Sequence, residues 1–260
     1  MKLYIANKNY SSWSLRPWVL MKTLGLSFEE SLNPFPMGGG PCGFETFSPS
    51  GKVPVLVDGE HTVWDSLAIT EYLAEQHPAV WPADKTARAW ARSAAAEMHS
   101  GFASLRNTCP MSCGVRVALH QPVPSGLLQD LQRLQTLWTE GLQRFGGPFL
   151  AGQHFTSMDA FFCPVAFRAQ TYNLVLSTDC MAYVQTLLAL PAMQDWYASA
   201  LKEPWIEPAH DADVLAFGAL VQDFRMPAET LHLLSVPGMR ESIQAGMAET
   251  LADTAKELDW

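Results

Sequence analysis

The chain has 260 residues, enough for two modest domains of about 100–150 residues each. Hydrophobic residues make up 48% and charged residues only 17%, so a packed core is expected and disorder is not. A formal net charge of −9 repels phosphate backbones and anionic lipid headgroups, which argues against nucleic-acid and membrane partners.

The five cysteines, Cys42, Cys109, Cys113, Cys163 and Cys180, are an odd, sparse set and make no disulfide framework. Cys109 and Cys113 have no second ligand pair at zinc spacing, and the histidines form no pair at helical spacing, so no metal is expected. No apolar run reaches about 18 residues. The start, MKLYIANKNY, has too short an apolar stretch for a signal peptide. A reduced, cytoplasmic location follows as an expectation.

In chain order, Leu3-Tyr4-Ile5-Ala6 reads as a short buried strand. Ser14 suits a helix cap, and Pro17 is tolerated in the first turn, where the amide it lacks has no partner. That helix runs through Trp18-Val19-Leu20-Met21 and stops at Gly25. Ser27 to Leu32 reads as a second strand, 33–49 as a loop around Gly38-Gly39-Gly40, and Val53 to Val57 as a third strand. Asp58-Gly59 is a hairpin turn, with His61-Thr62-Val63-Trp64 returning as its partner strand. Asp65 or Ser66 then caps a helix with an Ala68, Ile69, Tyr72 and Leu73 stripe.

Beyond a Pro78 to Pro82 linker the pattern is helical. A long helix is expected from about Thr86 to Arg106, then a loop with Pro122 and Pro124, then a helix from Ser125 to Phe145. Thr156-Ser157-Met158-Asp159 opens another as a capping-box variant, and Pro191 starts the second of two shorter ones. A tail follows from about Leu215. Its apolar stripe, Met239, Ile243, Met247 and Leu251, needs a surface to cover.

Four motifs in this order resemble the glutathione S-transferase family, over about residues 1–210. Tyr10-Ser11-Ser12-Trp13-Ser14-Leu15-Arg16 resembles the Ser-Ser-Cys-Ser-x-Arg signature of its zeta class and of related bacterial serine-type branches, with Trp13 at the cysteine position. Lys52-Val53-Pro54-Val55-Leu56, Asp65-Ser66-Leu67-Ala68-Ile69 and Thr156-Ser157-Met158-Asp159-Ala160 resemble three further family segments. The resemblance implies an α/β thioredoxin-like N-terminal domain binding glutathione over 1–80. An all-α, substrate-binding C-terminal domain over 86–214 and a helical extension over 215–260 would follow. It also implies a homodimer.

A helix N-terminus with a hydroxyl donor lowers a thiol pKa, and Ser11 and Ser12 precede such a terminus. The resemblance makes Ser11 the first choice for contacting the glutathione thiolate and Ser12 the second. It also makes Val53-Pro54 a cis bond, with Val53 offering its backbone to the cysteinyl part of glutathione. Asp65 and Ser66, at a helix start, would hold the γ-glutamyl carboxylate, and Lys52 the glycine carboxylate. The implied activity is conjugation of the thiolate to a small apolar or aromatic electrophile. Glutathione-dependent isomerisation of the maleylacetoacetate type is the alternative, and a non-catalytic binding protein of the same fold is a third. The Gly38-Gly39-Gly40 loop would lie beside the glutathione site.

Arg88, Arg92, His99 and Arg106 fall within about 40° of one another on a continuous helix. That stripe is either a solvated face or an attractor for an anionic substrate. In the tail, the run from Glu229 to Ile243 resembles the toxin-wrapping end of prevent-host-death (Phd/YefM-type) antitoxins, so packing on its own chain and binding a protein partner both stand as readings.

Overall fold

The computed structural model describes residues 1–36 and 40–227, and beyond these residues 230, 233, 236, 238, 239, 242 and 245. It divides into two compact units, Met1–Arg225 and Met226–Trp260.

The first unit opens with a four-stranded sheet in the order β2-β1-β3-β4. Strand β1 (Lys2–Ile5) runs parallel to β2 (Glu29–Leu32) and antiparallel to β3 (Val55–Asp58), which pairs with β4 (His61–Trp64). Gly59, at φ +58°, turns the β3–β4 hairpin where Asp58-Gly59 predicts it. Alternation buries Leu3 and Ile5 against helix α1 (Ser12–Thr23) and helix α2 (Ser66–Ala74). This is the α/β thioredoxin-like arrangement.

Helices α3 (Lys85–Ser100), α4 (Ala103–Thr108), α5 (Ser125–Phe145), α6 (Ser157–Tyr172), α7 (Thr178–Leu188), α8 (Pro191–Ala200) and α9 (Pro208–Leu215) follow. Helix α6 is their hub. It is buried from Ser157 to Ala169 on every face, and packs on α1, α3 and α7. Trp138 of α5 meets Phe162 and Tyr183 edge-on at 5.6 and 4.9 Å.

Four expectations are corrected. The helix expected over Thr86 to Arg106 breaks in two. At Gly101 a Cβ would sit 2.8 Å from the Glu97 carbonyl, and Phe102 takes φ +55°. The C-terminal region is mostly helical rather than all-α. Strand β5 (Val115–Leu119) pairs antiparallel with β6 (Gly218–Asp223). The extension from 215 therefore starts as a strand, inside the first unit, because β5 offers it a backbone edge. The helix α1 cap is Ser11, not Ser14. The Ser11 hydroxyl accepts the Ser14 amide while the Ser14 hydroxyl accepts the Ala6 amide at 3.2 Å.

In the second unit, the Ser242 amide donates to the Gly238 carbonyl at 3.0 Å. The Ile243, Met247 and Leu251 part of the stripe, most of the antitoxin-like run, and Gly38 and Gly39 lie outside the described residues. Among the described residues no helix is long and apolar enough to cross a membrane. All five cysteines are free.

The capping box of α6 is a buried hub. Asp159 accepts from the Leu150 amide (3.0 Å), the Tyr183 hydroxyl (2.8 Å), and the Thr156 amide and hydroxyl (3.0 and 3.3 Å). Removing the carboxylate strands four buried donors. Asp159→Ala should lower unfolding free energy by about 3 kcal/mol in urea titration, and a loss under about 1 kcal/mol would contradict this role.

Candidate active site

The N-terminus of α1 points out of the core at the junction between the sheet and the helices. Its buried flanks, Leu15, Trp18, Val19 and Met21, leave the end residues no room to shift. Ser11 caps the helix, and its own hydroxyl donates to Ser14 Oγ at 2.7 Å. The Ser12 hydroxyl has no partner among the described residues, nor does the Trp13 amide, one of the end amides a helix leaves unpaired.

Two adjoining cavities meet there. One, of about 420 Å³, is lined by Pro54, Asp65 and Ser66. The other, of about 450 Å³, is lined by Tyr10, Ser11, Ser12, Arg106, Met111 and Arg168. Trp13, Lys52 and Val53 line both. The structure thus brings all seven residues singled out from the sequence around one continuous space.

Their local geometry differs. Val53-Pro54 is cis, and sheet pairing begins only at Val55, so the Val53 backbone stands outside the ladder. Lys52 is exposed. Asp65 sits at φ +74° and caps α2 by accepting the Leu67 amide at 2.8 Å. A non-glycine residue held at positive φ marks a position that the surroundings impose, and such positions cluster at functional sites. Ser66 is fully buried, and Arg16 Nη1 reaches its hydroxyl at 3.5 Å.

Three further features surround the site. His99 Nε2 lies 3.5 Å from Asp65, and its ring meets Trp13 edge-on at 5.3 Å. Burial lowers the His99 pKa, against the pull of Asp65. Arg16 stacks on Trp13 and Phe161, with its guanidinium 4.1 and 4.8 Å from their centroids. Tyr10 is committed elsewhere. Its hydroxyl donates to Asp211 at 3.0 Å and accepts from Arg225 at 2.9 Å. Burial, then Asp211, push its pKa up to about 12, so it stays neutral at neutral pH.

Residues 10–76 match the family model for the glutathione S-transferase N-terminal domain. Over that stretch the chain is similar to that family. It is 30% identical over 135 residues to a probable maleylacetoacetate isomerase of Caenorhabditis elegans, covering 50% of this chain and 61% of that protein. It is 32% identical over 134 residues to a zeta-class glutathione S-transferase of Euphorbia esula, covering 49% and 58%. The matched stretch thus spans under two thirds of either relative. A Burkholderia glutathione transferase homologue, solved with bound glutathione, shares the fold at TM-score 0.57 and 22% identity. That match covers 76% of this chain and 96% of the other.

The glutathione S-transferase fold explains what sequence reasoning missed. Arg168, His210 and Met111 reach the second cavity from α6, α9 and the loop after α4. No local pattern marks them, since only the packing of the helices on α1 brings them there. The stripe from Arg88 to Arg106 also resolves into separate roles. Arg88 donates to the Pro82 and Ala83 carbonyls, Arg92 pairs with Glu71, and Arg106, on α4, reaches the cavity.

The turn before Ser11 is held by Glu203, whose carboxylate accepts the Lys8 and Asn9 amides at 2.6 and 3.1 Å. Burial raises its pKa from 4.5 to about 7, against the lowering effect of those two amides and the Lys8 ammonium. The folded protein then holds a proton on Glu203 that the unfolded chain has released between pH 4.5 and about 7. Stability from this group is full at the acid end of that window and falls as pH rises through it. Glu203→Gln should flatten that slope in urea titrations at stepped pH, and a slope equal to that of the unaltered protein would contradict the assignment.

Proposed function

We propose that the chain is a glutathione-dependent enzyme that delivers the glutathione thiolate to a small electrophile. The observation that carries this reading is the α1 N-terminus, with Ser11 and Ser12, opening where the two cavities join. The smaller cavity fits a γ-glutamyl peptide. The Ser66 amide at the start of α2 and the buried Arg16 suit its α-carboxylate, and Asp65 beside it suits the amino group. The Val53 backbone suits the cysteinyl amide in the manner of an added strand, with Lys52 available to the glycine carboxylate.

The sulfur would then lie against the α1 N-terminus. There the helix dipole, the unpaired Trp13 amide and a serine hydroxyl favour the thiolate over the thiol. The family resemblance ranks Ser11 first. The hydrogen bonding supports Ser12 as the donor, because the Ser11 proton is already directed at Ser14 Oγ. In conjugation the thiol proton leaves to solvent, the sulfur lone pair forms the new C–S bond, and the leaving group departs with its bonding electrons. The likeness to a probable maleylacetoacetate isomerase supports a second reading, in which the sulfur adds to a double bond and later leaves unchanged.

The test is the thiol pKa of bound glutathione, read from thiolate absorbance, alongside conjugation of a generic aryl halide. Loss of one hydrogen bond to an anion should raise that pKa by about one unit in Ser12→Ala. Ser11→Ala should shift it less. Glutathione retention without turnover of any electrophile would favour a non-catalytic binding protein, and unchanged thiol pKa in both variants would remove the serines from the mechanism.

A further inference from the structure

His210 enters the larger cavity from α9 with its ring held by three neighbours. Tyr10 and Phe35 stack with it, their centroids 5.2 and 4.8 Å away and their planes tilted by 27° in each case. Its Nδ1 lies 2.7 Å from Oε2 of Glu207, a residue only 7% exposed. A carboxylate accepts hydrogen bonds and donates none, so Nδ1 carries the proton and the neutral ring keeps its lone pair on Nε2. Nε2 has no partner among the described residues, and the ring lines the cavity that Ser11 and Ser12 also line. The side chain is 37% exposed, so the ring also reaches solvent.

A thiol must give up its proton where glutathione becomes a thiolate, and the other titratable groups around His210 are ill suited to take it. Burial, then Asp211, keep Tyr10 protonated at neutral pH. Burial, then Glu45 and Glu207, push the Cys42 thiol up. Lys52, Arg106 and Arg168 line the cavity as donors without a lone pair. Asp211 is engaged by Tyr10 and Arg225, and Glu207 by His210 itself. Imidazole is the side chain that ordinarily exchanges a proton between pH 5 and 8. Among the described residues neither Arg106 nor Arg168 has a carboxylate within ion-pair distance. Both therefore attract a thiolate and repel an imidazolium.

We propose that His210 is a catalytic base that takes the thiol proton of bound glutathione at Nε2 and passes it to solvent. The S–H bond breaks with its electron pair left on sulfur, an N–H bond forms at Nε2, and that proton is then released to water. Nδ1 keeps its own proton throughout, and Glu207 balances the imidazolium while it lasts. Repulsion from Arg106 and Arg168 speeds the release. This rests on the thiolate-delivery reading above and adds the residue through which the proton leaves.

The test is stopped-flow thiolate absorbance on mixing the protein with glutathione. His210→Ala should slow thiolate formation about a hundredfold, the usual worth of a positioned base, and leave the bound thiol pKa unchanged. Free imidazole should restore the rate in His210→Ala in proportion to its concentration. His210→Gln fills the space and should be equally slow without responding to imidazole. Glu207→Gln keeps an acceptor for the α9 cap and should slow the step by a smaller factor. A rate unchanged within about threefold in His210→Ala or His210→Gln would overturn the assignment. So would a slow rate in His210→Ala that imidazole fails to restore, or one matched by a raised thiol pKa. If the unaltered protein forms no thiolate at neutral pH, the delivery reading and the base fall together. If thiolate forms equally fast with and without His210, only the base falls.

Discussion

Helix α1 is buried along an unbroken run from Ser14 to Met21, between the sheet and α2 on one side and α6 and α8 on the other. A helix enclosed in this way can offer its unpaired N-terminal amides to a ligand only at its end. The site follows from that constraint. The sheet places Val53 beside the end, α2 brings Asp65 and Ser66, and α6 brings Arg168, each through packing on the same helix. Arg16 reinforces it one turn further in, sandwiched between the rings of Trp13 and Phe161. A cation so deeply placed ties the α/β wall to the helical wall.

The chain also reinforces the approach to this end. Glu203 gathers the Lys8 and Asn9 amides, and the Trp196 indole donates to the Lys8 carbonyl at 2.7 Å. The β5–β6 ribbon adds a second brace. Phe224 donates its amide to the Gly114 carbonyl at 2.7 Å, and Arg225 crosses Gly114 to reach Asp211 and Tyr10. A Cβ at Gly114 would lie 2.4 Å from the Arg225 side chain, so the crossing needs glycine there. Tyr10 is thereby fixed one residue before Ser11, and its ring stacks with His210, 5.2 Å between centroids, at the cavity rim.

Features carried by local chemistry were legible in the sequence. The Asp58-Gly59 hairpin, the Ser125–Phe145 helix and the Thr156/Asp159 capping box each depend on a few neighbouring residues. The seven residues around the cavities were singled out by the resemblance of their motifs to glutathione S-transferases, with helix-start chemistry as support at Ser11, Ser12, Asp65 and Ser66. What was hidden depends on distant pairing. Nothing within 115–119 or 218–223 alone distinguishes a ribbon from a loop or helix, because each strand exists through the other. The break at Gly101 interrupts a pattern that is helical by periodicity, and the uncompensated Arg168 looks like any polar residue on an otherwise apolar helix. Its buried Nη1 has no partner among the described residues, which only the folded surroundings reveal.

The central claim is that the α1 end is the meeting point of the two substrates. A crystal structure of the protein soaked with glutathione tests it most directly. The account predicts the sulfur within about 3.5 Å of the Ser11 or Ser12 hydroxyl, the hydrogen-bonding range for sulfur. It predicts the cysteinyl backbone paired with Val53 and the γ-glutamyl carboxylate at the Ser66 amide. Glutathione seated instead in the apolar cavity of about 730 Å³ bordered by Val117, Leu131 and Val175, or with its sulfur turned away from α1, would contradict it.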